Sequence, residues 1–159
     1  MPGRVVLPDS ILRALEREAE RRESTPEAVI VGMLLRLVEP GERPGALLDA
    51  ARTSLEHARE LAGEGRLGDA FRRVWASVLM ALDALSLLRG GERPGGLAEY
   101  WRLVSEAMGE LGAAADAWYA GLAAYIAWKE GIGDERHLEA MAGRAGRLVE
   151  ELEARLGRG

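Results

Sequence analysis

Several residue types on which many proteins depend are missing or rare in this 159-residue sequence. There is no cysteine, which excludes a disulfide framework and a zinc site built on thiolates. Phenylalanine occurs once, and the β-branched residues that favour strands are few, whereas alanine and leucine are abundant. The composition therefore predicts an all-α protein, and the length suffices for one domain with a substantial core, with or without a small appended unit.

Asparagine and glutamine are absent, and Lys129 is the single lysine. The lack of thermolabile amides beside abundant charge favours a thermophilic source, although a GC-rich genome would also favour arginine over lysine. The net charge of -5 argues against a protein whose whole surface binds nucleic acid, but it is compatible with a local arginine patch that does so. The sequence starts without a basic and apolar leader, so we expect an intracellular, cytoplasmic protein.

Residues 74–88 form a long apolar run in which Asp83 is the only charge. Apolar side chains recur at helical spacing, and the opposite face is apolar as well. Such a helix has no polar face to expose to water, so we predict that it is the central helix of a bundle. The carboxylate of Asp83 must then be paired, protonated or at an edge. We expect it to meet an arginine across a helix or subunit interface, with a ligand site as the alternative.

Residues 4–40 have the pattern of a separate small unit. A short extended piece ends at Pro8, and Asp9 or Ser10 can cap the first helix. The second helix starts within residues 24–27, either with Thr25 as its cap or with a capping box between Ser24 and Glu27. A Pro- and Gly-rich run follows at residues 39–45, so we divide the chain into residues 1–45 and residues 46–159.

The strand, helix, helix order of residues 1–45, and the run from Val5 to Arg22, resemble the ribbon-helix-helix fold. In that family two strands pair across a dimer and their side chains enter the DNA major groove. Arg4 is the only base-reading side chain on the strand here, and Glu23 stands where a turn glycine is common. The resemblance implies a DNA-binding regulator as one alternative. The other is a helical hairpin that caps the bundle or dimerises.

The remaining chain is predicted to be an antiparallel bundle of about five helices, because short glycine-rich turns separate helical patterns. The loop at residues 89–96 carries two glycine pairs, but it lacks the strand and the Gly-Lys-Ser/Thr ending of a phosphate loop. The predicted helices span Ala46 to Ala62, the stretch after a cap at Asp69 to Leu88, Leu97 to Glu110, Leu111 to Trp128, and the stretch after a cap at Asp134 to Leu156.

Residues 111–128 form the second long apolar run, with Asp116 as its only charge. Glycine and alanine keep its hydrophobicity low for a membrane span, so we predict a buried helix and no membrane association. Two helices that are apolar on all sides are hard to bury in one bundle, and a second subunit would cover an exposed face. We therefore predict a homo-oligomer, most simply a twofold dimer.

Several stretches also carry a family pattern: the first bundle helix with Ala51, Leu55 and Ala58, residues 65–70, residues 74–76, and the aromatic helices that follow. In these stretches the chain resembles the archaeal PaREP family and, more distantly, the HEPN (higher eukaryote and prokaryote nucleotide-binding) helical domains. Residues 8–40 look like the usual leader of the PaREP family. The resemblance implies a HEPN-like helical bundle in a family of uncharacterised function.

Active HEPN nucleases carry an arginine followed after four to six residues by a histidine, placed at a dimer cleft that cuts RNA. Only Arg52 and His57 match this spacing here. A five-residue offset separates two side chains by about 140° around a helix, so the pair would not converge within one helix. We interpret the match as coincidence on a solvated face. A HEPN-type nuclease or toxin-antitoxin component is the alternative.

The other candidate residues favour structural roles. His137, beside Arg136, has no further metal ligands near it in sequence, and the run with Glu150, Glu151 and Glu153 is typical of a solvated helix face. The pattern around Trp75, Trp101 and Trp118 predicts core packing. The sequence thus indicates no catalytic, cofactor-binding or metal-binding residue. It predicts a non-enzymatic protein that acts through homo-oligomerisation and binding.

Overall fold

The computed structural model describes residues 4–158 and is all-α, as the composition predicts. Two 3-10 turns, Leu35–Leu37 and Pro40–Glu42, join the second helix to the third. No helix in the described residues combines the length and the apolar character that a membrane span requires. The seven helices in this part of the chain are α1 (Asp9–Arg21), α2 (Pro26–Leu34), α3 (Arg43–Gly63), α4 (Leu67–Leu88), α5 (Leu97–Ala107), α6 (Gly112–Glu130) and α7 (Glu135–Arg158).

Side-chain caps account for two of the helix starts. Thr25 is extended before α2, and its Oγ1 accepts a hydrogen bond from the backbone N–H of Ala28 at 3.1 Å. Of the two starts predicted for this helix, the threonine cap with Pro26 in the first turn is therefore the one that forms. Asp134 caps α7 as predicted, since its Oδ1 accepts two backbone N–H groups at 2.9 and 3.0 Å.

Three other predicted helix starts were wrong, and α5 ends at Ala107 rather than at Glu110. Helix α1 begins at Asp9 directly after Pro8, with no side-chain cap. Helix α4 begins at Leu67, so Asp69 lies within its first turn, where a carboxylate is favoured by the helix dipole. Helix α3 begins at Arg43 rather than Ala46, because a proline in the first turn of a helix sacrifices no hydrogen bond. The division of the chain at residue 45 stays a prediction.

Helix α4 is the centre of the molecule. It packs against α2, α3, α5, α6 and α7, and every residue from Val74 to Ser86 is buried. The helix that is apolar on all sides is thus covered within a single chain.

Helix α6 is not buried on all sides, which corrects the prediction for residues 111–128. Its inner side packs on α4 so closely that Gly121 lies against Val78. On its outer side Asp116, Tyr119 and Ile126 are exposed. The apolar sequence of α6 reflects its many alanines, most of which are buried against neighbouring helices, whereas its exposed positions carry other residues.

The α1–α2 hairpin packs on the bundle through contacts between its helix α2 and helix α4 of the bundle. Leu15, Ala19 and Val29 form its own small core, while Ala28 and Leu35 belong to the main core. The hairpin therefore shares part of the core of the bundle and keeps a small one of its own.

The turn between α1 and α2 is tied to α4 by polar contacts. Glu23 has a φ of 53°, a left-handed conformation that glycine adopts more easily. Its carbonyl accepts a hydrogen bond from Trp75 Nε1 at 3.0 Å. Glu27 pairs with Arg72 at 2.8 Å and with Arg73 at 3.3 Å. These contacts hold a strained turn residue in place.

Candidate functional site

Asp83 on α4 is 1% exposed and is bonded through both carboxylate oxygens. Oδ1 accepts a hydrogen bond from the hydroxyl of Tyr100 on α5 at 2.5 Å. Oδ2 accepts a hydrogen bond from Nε of Arg93 at 3.1 Å. The expected arginine partner is thus confirmed, but it comes from the next loop of the same chain rather than from a facing helix or subunit.

Burial raises the pKa of Asp83 to about 6, because the charged form loses its hydration. The charge of Arg93 and the hydrogen bonds from Tyr100 and Arg93 act in the opposite direction. Burial also raises the pKa of Tyr100 well above its usual value, and the carboxylate of Asp83 adds to that shift. Tyr100 is therefore a neutral hydroxyl that donates to Asp83 throughout the physiological range.

The loop at residues 89–96 supplies Arg93 and is fixed against the end of α4. The hydroxyl of Ser86 donates to the carbonyl of Glu92, and the N–H of Gly91 donates to the carbonyl of Ser86 at 3.0 Å. The Arg93 guanidinium lies directly against Gly32 of α2, where any larger residue would collide with it. One side chain thus joins the loop, the bundle and the hairpin.

A space of about 40 Å³ adjoins this cluster, between the α1–α2 turn and residues 93–97. That volume admits a few water molecules and is far below the size of a small-molecule site. Because both oxygens of Asp83 already have donors, the geometry fits a buried ion pair that holds elements together. Sequence reasoning missed Tyr100, since no local signal separates a tyrosine that bonds a carboxylate from one that fills a core.

Arg52 and His57 are not brought together. Arg52 pairs with Glu153 of α7 and lines a groove between α3 and α7 that does not include His57. His57 is exposed on α3. Asp83 lines a different space, so no cleft gathers the three residues.

The remaining candidates are exposed. In the first turn of α7, Nδ1 of His137 accepts a hydrogen bond from the N–H of Asp134 at 3.2 Å. Asp116 lies at the surface beside Arg144 and Arg147 rather than in the core, because it points away from α4. Within residues 4–158 no three histidine, aspartate or glutamate side chains are grouped to hold a metal ion. Of the acidic run, Glu150 and Glu151 are exposed, and Glu153 pairs with Arg52.

The predicted core position of Trp101 was wrong. Trp75 and Trp118 are buried, but Trp101 is 53% exposed and packs edge-on against Trp118. The short α5 packs against α4 and α6, and Trp101 lies on the side of α5 that neither helix covers. Together with Tyr119 and Ile126, Trp101 gives the outer side of α5 and α6 an apolar character, which we call the aromatic surface.

A second apolar surface lies on the N-terminal hairpin. Residues 4–7, which we call the arm, precede the first helix without regular secondary structure, and Val5 and Val6 are 85% and 88% exposed. We call the whole area the hairpin surface, formed by Val5, Val6, Ile11, Leu12, Met33, Leu34 and Leu37, all of them exposed.

Comparisons with protein-family models, with curated proteins and with solved structures found no match to this chain. The resemblance to the PaREP family and the HEPN-like bundle, together with the archaeal and thermophilic source, therefore stay predictions from the sequence.

Proposed function

We propose that this protein has a non-enzymatic binding role and that it works as a homo-oligomer, most simply a dimer, joined through the hairpin surface. The observation that carries the proposal is the concentration of large exposed apolar side chains on this unit. Among the described residues, seven of them lie between Val5 and Leu37, and they come from the arm, both helices and the following turn. Scattered apolar residues are ordinary on a surface, whereas a concentration of this kind is typical of an interface.

The apolar side chains that support self-association lie on the hairpin and not on the two helices from which the prediction started. The prediction started from two helices that needed outside cover, but α4 is covered within one chain and α6 needs little. The hairpin differs from these helices because its own core is small and several of its large apolar side chains are exposed to water. Burial of apolar area contributes about 25 cal/mol per Å², so covering this surface would favour association.

The test compares two apolar side chains that are equally exposed. Leu34 on α2 and Ile126 on α6 are both 52% exposed, so Leu34→Glu and Ile126→Glu place the same charge on different surfaces. Sedimentation equilibrium at micromolar concentration should show an oligomer for the wild type and for Ile126→Glu. It should show a monomer for Leu34→Glu, because a carboxylate is costly to bury at an interface.

Two results would contradict the proposal. A wild-type chain that remains monomeric removes self-association altogether. Dissociation by Ile126→Glu and not by Leu34→Glu would place the interface on the aromatic surface. Circular dichroism of both variants checks that each has retained its helical fold.

A second candidate function is a DNA-binding regulator that uses the arm. It is favoured by one observation: Arg4 is exposed on a non-helical segment that precedes two helices. Gel shifts at low and raised salt, with wild type and Arg4→Ala, test it, because phosphate contacts weaken steeply with salt. Equal mobility of the DNA with and without protein at low salt would reject this candidate.

A further inference from the structure

The arm is an exposed, largely apolar segment that precedes the first helix and carries one positive charge, that of Arg4. Leu7 anchors it by packing on the small core of the hairpin, while Val5 and Val6 project into water. Among the described residues, no backbone group of residues 4–7 makes a backbone hydrogen bond. The arm therefore has exposed apolar side chains, and its backbone groups have no backbone partners among the described residues.

A shallow groove of about 460 Å³ lies where the second 3-10 turn, the start of α3 and the end of α7 meet. Its apolar lining comes from Val38, Ala46 and Leu156. Gly41 and Gly45 also line it, and without side chains they leave backbone accessible to an approaching segment. The groove adjoins the hairpin surface, since Leu37 of that surface directly precedes Val38.

Two carboxylates complete the groove. Glu42 and Asp49 line it and are exposed, and neither pairs with a described basic side chain within 4.0 Å. The groove thus fits an extended segment that carries valines and one positive charge. Arg4, Val5 and Val6 provide this combination.

We propose that the arm of one chain lies in this groove of a second copy, with Arg4 beside Glu42 and Asp49 and with the two valines on the apolar lining. The inference rests on the proposed self-association and specifies how the two chains meet. The arm does not occupy the groove of its own chain, because Val5 and Val6 are almost fully exposed there. Reciprocal exchange of two arms closes a twofold dimer and leaves no open end for further growth.

Cross-linking tests the position of the arm. The chain has no cysteine, so Val6→Cys and Ala46→Cys each introduce the only thiol of their chain. The two variants are mixed, allowed to exchange subunits and treated with a short bismaleimide. We expect a covalent dimer that contains one chain of each kind. Ile126→Cys mixed with Val6→Cys is the matched control and should give no such product.

The other outcomes are equally decisive. Covalent dimers in Val6→Cys alone would show that the two arms lie against each other, and would overturn the groove proposal. The absence of a mixed product, while sedimentation still shows a dimer, would also overturn it and leave the proposed self-association intact. A monomer in sedimentation would remove both proposals together.

Charge reversal provides an independent measurement. Arg4→Glu and Asp49→Arg should each weaken self-association, by about two- to thirtyfold in the dimer dissociation constant, because the twofold dimer contains this exposed ion pair twice. The double variant should recover most of this loss, since the two charges are exchanged rather than removed. Additive losses in the double variant would show that Arg4 and Asp49 do not meet.

Discussion

Helices α4 and α6 have similar sequences and different surroundings. Each is built largely from a long apolar run with one aspartate inside it, Asp83 in residues 74–88 and Asp116 in residues 111–128. Yet Asp83 of α4 is buried and bonded on both oxygens, whereas Asp116 of α6 faces water. The difference arises because α4 has neighbours on every side, while α6 packs mainly against α4 and α7. A helix that is apolar all round can therefore lie at the centre of a bundle or at its edge.

The contrast also changes what an aspartate does. At the centre, a carboxylate is stable only because Arg93 and Tyr100 both donate to it. At the edge of the bundle, water solvates the carboxylate of Asp116, so this group requires no side-chain partner. Asp83 therefore ties the loop and α5 to α4, whereas Asp116 is exposed to water.

The largest expected effect is the difference in stability lost when a tryptophan at the centre of the bundle and one at its edge are truncated. Trp75→Ala should lower the free energy of unfolding by about 3 to 5 kcal/mol, because it opens a cavity at the centre and removes the bond to the Glu23 carbonyl. Trp101→Ala should cost about 1 kcal/mol, since half of that side chain is already in water. Urea unfolding followed by circular dichroism measures both, and equal losses would show that the centre and the edge do not differ.

The second prediction uses the pKa of Asp83. Folding raises this pKa from 3.8 to about 6, so the folded state holds the proton more tightly than the unfolded state does. The resulting contribution to stability is fully present below about pH 4 and is lost as pH rises through about 6. It amounts to roughly 2 to 3 kcal/mol. Urea unfolding at a series of pH values, with Asp83→Asn beside wild type, measures it.

The difference between the two unfolding curves isolates Asp83 from all other titrating groups. Stability of the wild type relative to Asp83→Asn should fall between pH 4 and pH 7. The matched control is Asp116→Asn at the edge of the bundle. It leaves Asp83 intact, so its stability should depend on pH as that of the wild type does. A wild-type stability that instead rises relative to Asp83→Asn over this range would mean that Arg93 outweighs burial.

The third and smallest prediction concerns the contact between the two helices. A Cβ at position 121 would lie 2.8 Å from Cγ1 of Val78, and the β-branched side chain of Val78 has little freedom to move. Gly121→Ala should therefore lower the free energy of unfolding by about 1 to 3 kcal/mol despite the better helix propensity of alanine.

Gly112, in the first turn of α6, has open space around it and serves as the control. Gly112→Ala should change stability by less than about 0.5 kcal/mol. Adding Val78→Ala to Gly121→Ala should cost less than the sum of the two single changes, because the collision is then absent. A strictly additive pair would indicate that the helices move apart without strain.

Features that depend on a few neighbouring residues were predictable. The aspartate cap at Asp134 and the central place of residues 74–88 follow from local chemistry and from the helical period, and the cap at Thr25 was one of two starts predicted for its helix. The partner of Asp83 could be predicted as an arginine, because burial requires an opposite charge. That it is Arg93, ten residues along the chain, depends on how the loop turns back over α4.

The amino-acid sequence by itself determined the all-α class and the helix that must avoid water, because helical periodicity is a property of each segment alone. Only the tertiary structure decided that α4 is covered within one chain, that α6 and Trp101 face water, and that the exposed apolar side chains concentrate on the hairpin. The physical reason is that the cover of a helix depends on its neighbours, and a pattern within one helix says nothing about how many neighbours it has.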